Sequence, residues 1–432
     1  MKMSSIPKSS LHKNPDMTRV FDLISTIEDP RKRIGQHPFI SIIVIGVCAH
    51  IGGANDSVAM AHFGKNHESW FRKFLPLPHG IPSHDTFNRI FGKIHKHEMQ
   101  KLLALVQPAM ETAEASESTE NESEIIDETQ DAVNKQIILD GKVLRALKTL
   151  NPTTLIRAFF PAKNKVLAQG KVPLGTNEIT TIPKILLSVK NFIKGCICTI
   201  DAIGTQVKIA KLIVALGGSY FLPIKKNQPQ LYEDVSLYMD DVAQGTMPGA
   251  KYTYYETIEK GHGRIEKRQC WTITNLNWLY RIKRWKDAKS ISLVVSTVKR
   301  GKSEPVITKR YFIGERAFHA KTALAVARKH WSIENNLHWP LNVDFREHTA
   351  TTRKRAGAEN MAIVRSVALG LLENNSMNAS IKNKRARAAC DLDYMLEVLL
   401  GKPIDRRSTL QKAKDYIITL FRTPRRIFSC FG

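Results

Sequence analysis

Two short apolar runs, each ending on an aspartate, constrain this chain most. Ile137-Ile138-Leu139 closes on Asp140, and Ile197-Cys198-Thr199-Ile200 closes on Asp201. A carboxylate just beyond a buried strand is badly placed for packing and well placed to hold a divalent cation. A third acid, Glu334, lies in Trp331-Ser332-Ile333-Glu334-Asn335 on a strongly helical stretch. There Trp331, Ile333 and Trp339 predict apolar surroundings. Each acid alone has an ordinary reading as a turn, cap or solvated residue. Together they ask for a fold that joins them.

The order of elements supplies one. Strands are predicted over residues 136–140, 155–160, 165–172, 196–201 and 220–224, with helices over 182–190 and 206–216. Three leading strands, a helix, a central strand and a helix–strand pair match an RNase H-like α/β core with a mixed sheet. In that fold the first and central strands lie side by side, and a late helix crosses the sheet to bring Glu334 to the two aspartates. Between about 250 and 316 the apolar period falls to two, which predicts a β-rich insertion. Helix returns over 321–345 and 356–372.

The domain reading follows. Residues 1–18 form a disordered basic tail, 19–110 a small all-α N-terminal domain, and 111–134 an acidic linker without lysine or arginine up to residue 134. The catalytic domain spans 135–372, and 373–432 is a basic helical C-terminal tail. In the helical domain, Ser83 or Asp85 caps a helix whose apolar face is Phe87, Ile90 and Phe91. With the short helix and Gly/Pro loop before it, this fits either a helix-turn-helix or an ordinary bundle.

Composition narrows the partner. The chain has 65 Lys and Arg against 40 Asp and Glu, a formal net charge of +25, which asks for a polyanion. A membrane surface would need a polybasic block beside an apolar anchor, and none is evident. The apolar stretch 39–51 is too short to span a bilayer and reads as a buried helix. Residues 1–20 carry no apolar signal segment, and the six cysteines show no zinc-site spacing, so a reduced, cytoplasmic protein is expected.

Three crowded carboxylates repel and raise one another's pKa. Divalent cations remove that penalty, and oxygen donors select Mg²⁺ or Mn²⁺. Two such ions, about 3.5–4 Å apart, activate water and stabilise a leaving 3′ oxygen in an in-line attack on phosphorus.

An ordered set of motifs carries a family resemblance. It comprises Leu139-Asp140-Gly141-Lys142-Val143-Leu144-Arg145, Thr176-Asn177-Glu178-Ile179-Thr180, Thr199-Ile200-Asp201-Ala202 and Lys226-Asn227-Gln228. His262-Gly263-Arg264-Ile265-Glu266 and His330-Trp331-Ser332-Ile333-Glu334-Asn335-Asn336-Leu337-His338-Trp339 complete it. From about residue 18 to 400 the chain resembles the ISAs1-type (H-repeat-associated) insertion-sequence transposases of the DDE group. The resemblance implies a helical domain ahead of an RNase H-like core, a β-rich insertion, and Asp140, Asp201 and Glu334 as the DDE triad. Two family acids are replaced here, by Asn342 and His348, and Asp344 and Glu347 stand in reserve for the third acid.

Other residues have paired readings. Lys142 and Arg145 hold phosphate or are solvated, and Lys225, Lys226, Asn227 and Gln228 suit a DNA backbone. Asn177 and Glu178 line the site or cap a turn. His262 and Arg264 favour DNA. Arg328, Trp331, Glu334, Asn335 and His338 recur at helical spacing, so Asn335 and His338 orient Glu334 or touch DNA. Trp278 and Trp285 stack on a flipped base or pack in the core. Lys382, Lys384, Arg385 and Arg387 contact phosphate or coat a helix.

The expected function is a DDE-type DNA transposase that binds double-stranded DNA at terminal inverted repeats. Asp140, Asp201 and Glu334 hold Mg²⁺ (or Mn²⁺), water frees a 3′-OH, and that hydroxyl attacks target DNA. Joining two ends implies a homodimer or higher oligomer. The rivals are an RNase H-fold nuclease without strand transfer and a decayed or repurposed DNA-binding derivative.

Overall fold

The computed structural model describes residues 17–33, 35–107, 128–144, 153–261, 263–285, 287–349 and 356–401, with 410, 414, 415 and 417. Contacts divide the chain into two units. One comprises Met1–Ala109, Leu144–Pro152 and Trp339–Gly432; the other comprises Met110–Val143 and Thr153–His338. This grouping differs from the sequence reading, which put residues up to 372 with the catalytic core.

The second unit is built on a nine-stranded sheet. Its strands are β1 (Gln136–Leu144), β2 (Thr153–Phe160), β3 (Lys165–Lys171), β4 (Ile197–Ile200) and β5 (Ser219–Ile224), followed by β6 (Thr253–Gly261), β7 (Arg264–Ile273), β8 (Ser290–Arg300) and β9 (Val306–Gly314). They lie in the order β3-β2-β1-β4-β5-β9-β8-β7-β6. β4 runs parallel to both β1 and β5. β2 is antiparallel to β3, and β9 is antiparallel to β5. The first five strands therefore have RNase H-like order, and the insertion extends the same sheet as an antiparallel meander.

Apolar alternation decides which helix covers which face. Ile137 and Leu139 of β1 join Cys198 and Ile200 of β4 in one core cluster, with helices Ile182–Ser188, Val207–Ala215 and Pro229–Gln244 packed over it. Ile197 and Phe221 point the other way, into a cluster with Ala323, Leu324 and Ala327 of helix Ala320–His330. A sheet covered on both faces accounts for unbroken apolar runs in its central strands. Helix Pro229–Gln244 was missed by the sequence reading, although Leu231, Val235, Met239 and Val242 are its buried stripe. Helix Glu128–Asn134 occupies the end of the stretch read as linker; residues 111–127 lie outside the described residues.

The other unit is helical. Helix Phe39–Ile51 is buried from Ile40 onward and packs against helix Gly357–Asn374. Ser83 caps helix His84–Lys93 by accepting from Thr86 N, and Phe87, Ile90 and Phe91 are buried. Asn360 donates to the carbonyls of Phe91 and Ile94, tying that helix into a bundle. No described helix is long and apolar enough to cross a membrane.

Of the basic cluster Lys382, Lys384, Arg385 and Arg387, the first and last are exposed and the middle two are buried, against the expectation of a phosphate-binding or solvated helix face. Lys384 Nζ donates to the carbonyls of Leu372 and Asn375, each at 2.9 Å. Arg385 donates to the carbonyl of His50 and the side chain of Asn55. Both are buried and satisfied by helix-end carbonyls, so they are not free for phosphate.

Candidate active site

The β1–β4 register pairs Leu139 with Ile200, so Asp140 and Asp201 are the next residues on two adjacent parallel strands. They line one cleft with Gly141, Glu178, Ile156 and Ile182. Glu334 begins a π-helical turn, Glu334–His338, beyond helix Ala320–His330. An oxygen of Asp140, an oxygen of Glu334 and a ring nitrogen of His338 lie within 4.8 Å of one another. Asp201 is outside that tight group but borders the same cleft.

Electrostatics follow from this crowding. Burial, then the charges of Asp201 and Glu334, push the Asp140 carboxyl up to about 7. Burial and Asp201 likewise raise Glu178. Glu334 is held below its usual range, chiefly by His338 and also by Lys142, whose Nζ is 3.7 Å from its Oε2. Lys225 Nζ stands 3.9 Å from Asp201 Oδ1. The side chain of Asp140 is 15% exposed, while those of Asp201 and Glu334 are 54% and 49% exposed, so the cleft has a buried base and an open rim. Carboxylates arranged this way fit a hard divalent cation, which would relieve the repulsion that adds to burial in raising Asp140.

Comparison with known proteins agrees with the geometry. The family model described as "Transposase DDE domain" matches residues 135–371. The chain belongs to that family. A second model, "DDE_Tnp_1-associated", matches residues 21–105. "Uncharacterized protein in dhlA 3'region" of Xanthobacter autotrophicus is 35% identical over 65% of this chain and 88% of its own length. "H repeat-associated putative transposase YhhI" of Escherichia coli is 28% identical over 89% of this chain and 99% of its own. A solved piggyBac transposase synaptic complex with hairpin DNA aligns over 99% of this chain and 89% of that chain, at TM-score 0.41 and 9% identity, and adds nothing to the topology above.

In this DDE domain several polar residues that could reach DNA also have partners within the protein. Asn227 Nδ2 donates to Ala202 O at 2.6 Å, and Gln228 Nε2 donates to Thr205 O at 2.9 Å. Both amides hold the turn that follows Asp201. Arg328 pairs with Glu259 at 2.7 Å, in a network that includes Arg268. Arg264 lies 3.5 Å from Glu266. Trp278 stacks on Tyr238 at 3.9 Å, and Trp285 is buried, which is the core reading of both. Trp331 and Trp339 are exposed, so the apolar surroundings expected for Glu334 reduce to Ile333 and Leu337. His338 is buried while Asn335 is exposed: the π-turn breaks the shared face that a regular helix would give them. Lys226 is exposed. Arg145 and His262 lie outside the described residues.

Two residues were undervalued. Asn177 caps its turn through Ile179 N, which aims Glu178 at Gly141; a β-carbon at Gly141 would collide with that carboxylate. His330, which burial pushes down to about 4, sets Nδ1 2.9 Å from Thr199 Oγ1. Thr199 also meets Gln136 Nε2 at 3.0 Å, so β1, β4 and the helix leading to Glu334 share one polar contact. The Thr-Asn-Glu motif was a signal for Glu178. His330 heads its motif, but nothing there marked its role, because its partner lies 131 residues away in sequence.

Proposed function

We propose that this chain cleaves DNA at the ends of its element and joins the freed 3′-OH to target DNA. The convergence of Asp140, Glu334 and His338, with Asp201 on the adjoining strand, supports it above all else. Asp140, Asp201 and Glu334 would hold Mg²⁺ or Mn²⁺. When bound, the cations activate the attacking oxygen and stabilise the leaving one. The chain's own part is positional. Asp140 supplies the carboxylate shared at the floor of the cleft. Asp201 and Glu334 flank its open rim, where a phosphate can enter. Lys142 and Lys225 neutralise those acids before the cation arrives and can swing to phosphate afterwards. The net charge of +25 supplies the sequence-independent attraction to DNA. The protein acts in the cytoplasm, as at least a dimer that brings two ends together.

The test is a cleavage and strand-transfer assay on DNA carrying the element's inverted repeats. Divalent-cation-dependent nicks with 3′-OH ends are expected, followed by joined products from pre-cleaved ends. Asp201→Asn should lower the nicking rate by about 10³-fold or more while DNA binding persists. Nicking without joining would reduce the protein to a nuclease. Binding with no cation-dependent nicking would leave only a repurposed DNA-binding protein.

A further inference from the structure

His338 is the unexplained member of the cleft. Its side chain is fully buried, yet among the described residues neither ring nitrogen has a hydrogen-bond partner of good geometry. Nδ1 instead faces two carboxylates, 3.3 Å from Glu334 Oε2 and 3.5 Å from Asp140 Oδ2. A buried imidazole with idle nitrogens is costly unless something else engages it. A neutral imidazole that carries its proton on the far nitrogen offers one lone pair to a cation at Nδ1.

The separations match an inner coordination sphere better than a hydrogen-bonded pair. Adjacent ligands around a cation with bonds of about 2.1 Å stand roughly 3.0–3.4 Å apart, depending on geometry. Three donors from two elements, β1 and the π-turn, meet close to that spacing: Nδ1 is 3.3 and 3.5 Å from the two carboxylate oxygens, and one ligand atom from each residue lies within 4.8 Å of the others. The π-turn is the device that does this: it starts with Glu334 and ends with His338, and it widens the helix where both side chains turn toward Asp140.

We propose that His338 Nδ1 is a direct nitrogen ligand to the cation held by Asp140 and Glu334. This rests on the reading of the cleft as a divalent-metal site. An imidazole beside two carboxylates biases the site away from Mg²⁺ and toward Mn²⁺ and later transition ions, for which nitrogen is the better donor. Metal selectivity then resides in His338, while the acids supply charge.

The experiment is pulsed electron paramagnetic resonance of Mn²⁺ added to the full-length protein, paired with Mn²⁺ and Mg²⁺ titrations. ¹⁴N coupling of a directly bound imidazole is expected. It should vanish in His338→Gln, with Mn²⁺ affinity down about 10-fold, Mg²⁺ affinity changed less, and the far-ultraviolet circular dichroism unaltered. Mn²⁺ that binds, is lost in Asp140→Asn and shows no nitrogen coupling would overturn the His338 assignment alone. If Mn²⁺ does not bind at all, the metal-site reading falls, and this proposal with it. Should His338→Gln fail to fold, the nitrogen signal of the wild-type protein still decides the question.

Discussion

At the scale of single residues, the acids matter through what surrounds them. Gly141 is glycine because the Glu178 carboxylate occupies the space a β-carbon would take. The collision is with the far end of a flexible side chain, so Gly141→Ala should cost less than about 1 kcal/mol of stability. It should nonetheless move Glu178 off the cleft and lower cleavage about 10-fold. Thermal melting and single-turnover nicking on the same preparation check both halves; equal loss in each would make Gly141 a packing residue only. Asp140 and Asp201 each end an apolar run, which alone reads as a turn or cap; what singled them out was a strand order that sets those two runs side by side. His338 was named from spacing, but its burial was not. Helical spacing predicted a face shared with Asn335, and the π-turn separates the two.

At the scale of elements, the turn after β5 serves the turn after β4. Asn227 and Gln228 donate to the carbonyls of Ala202 and Thr205, just beyond Asp201. Replacing either by alanine should remove about 1 kcal/mol of stability and slow cleavage several-fold, leaving DNA affinity in metal-free buffer unchanged. Filter binding beside a kinetic assay distinguishes this from a phosphate contact, which would weaken binding and flatten its salt dependence. Strands were readable where burial made them continuously apolar, as in β1 and β4. Helix Pro229–Gln244 escaped because its four buried positions are interleaved with Asp234, Asp240 and Asp241, so local polarity masked a regular period. Which face of the sheet each helix covers depends on the pairing of residues far apart in the chain. No window of sequence contains that information.

At the scale of the molecule, each unit carries its own polar commitments. In the helical unit, His50 is fully buried beside Arg365 and Arg385, and burial pushes its imidazole down from 6.5 to about 3. The folded state therefore binds fewer protons than the unfolded state between those values, so acid favours unfolding. The His50 contribution to stability should be level above about pH 6.5 and fall progressively toward pH 3. Melting curves of wild type and His50→Leu test it: the variant should lose less stability than wild type between pH 7 and pH 5. Parallel loss in both would assign the acid sensitivity elsewhere. The reading of the whole molecule rests on one arrangement, two aspartates on neighbouring strands and a helical glutamate sharing a cation. The most direct measurement is anomalous diffraction at the manganese edge from crystals soaked in Mn²⁺. The account predicts manganese in the active-site cleft, in bonding contact with Asp140, Asp201 and Glu334. Manganese bound only outside that cleft, at concentrations where the protein cuts DNA, would contradict it.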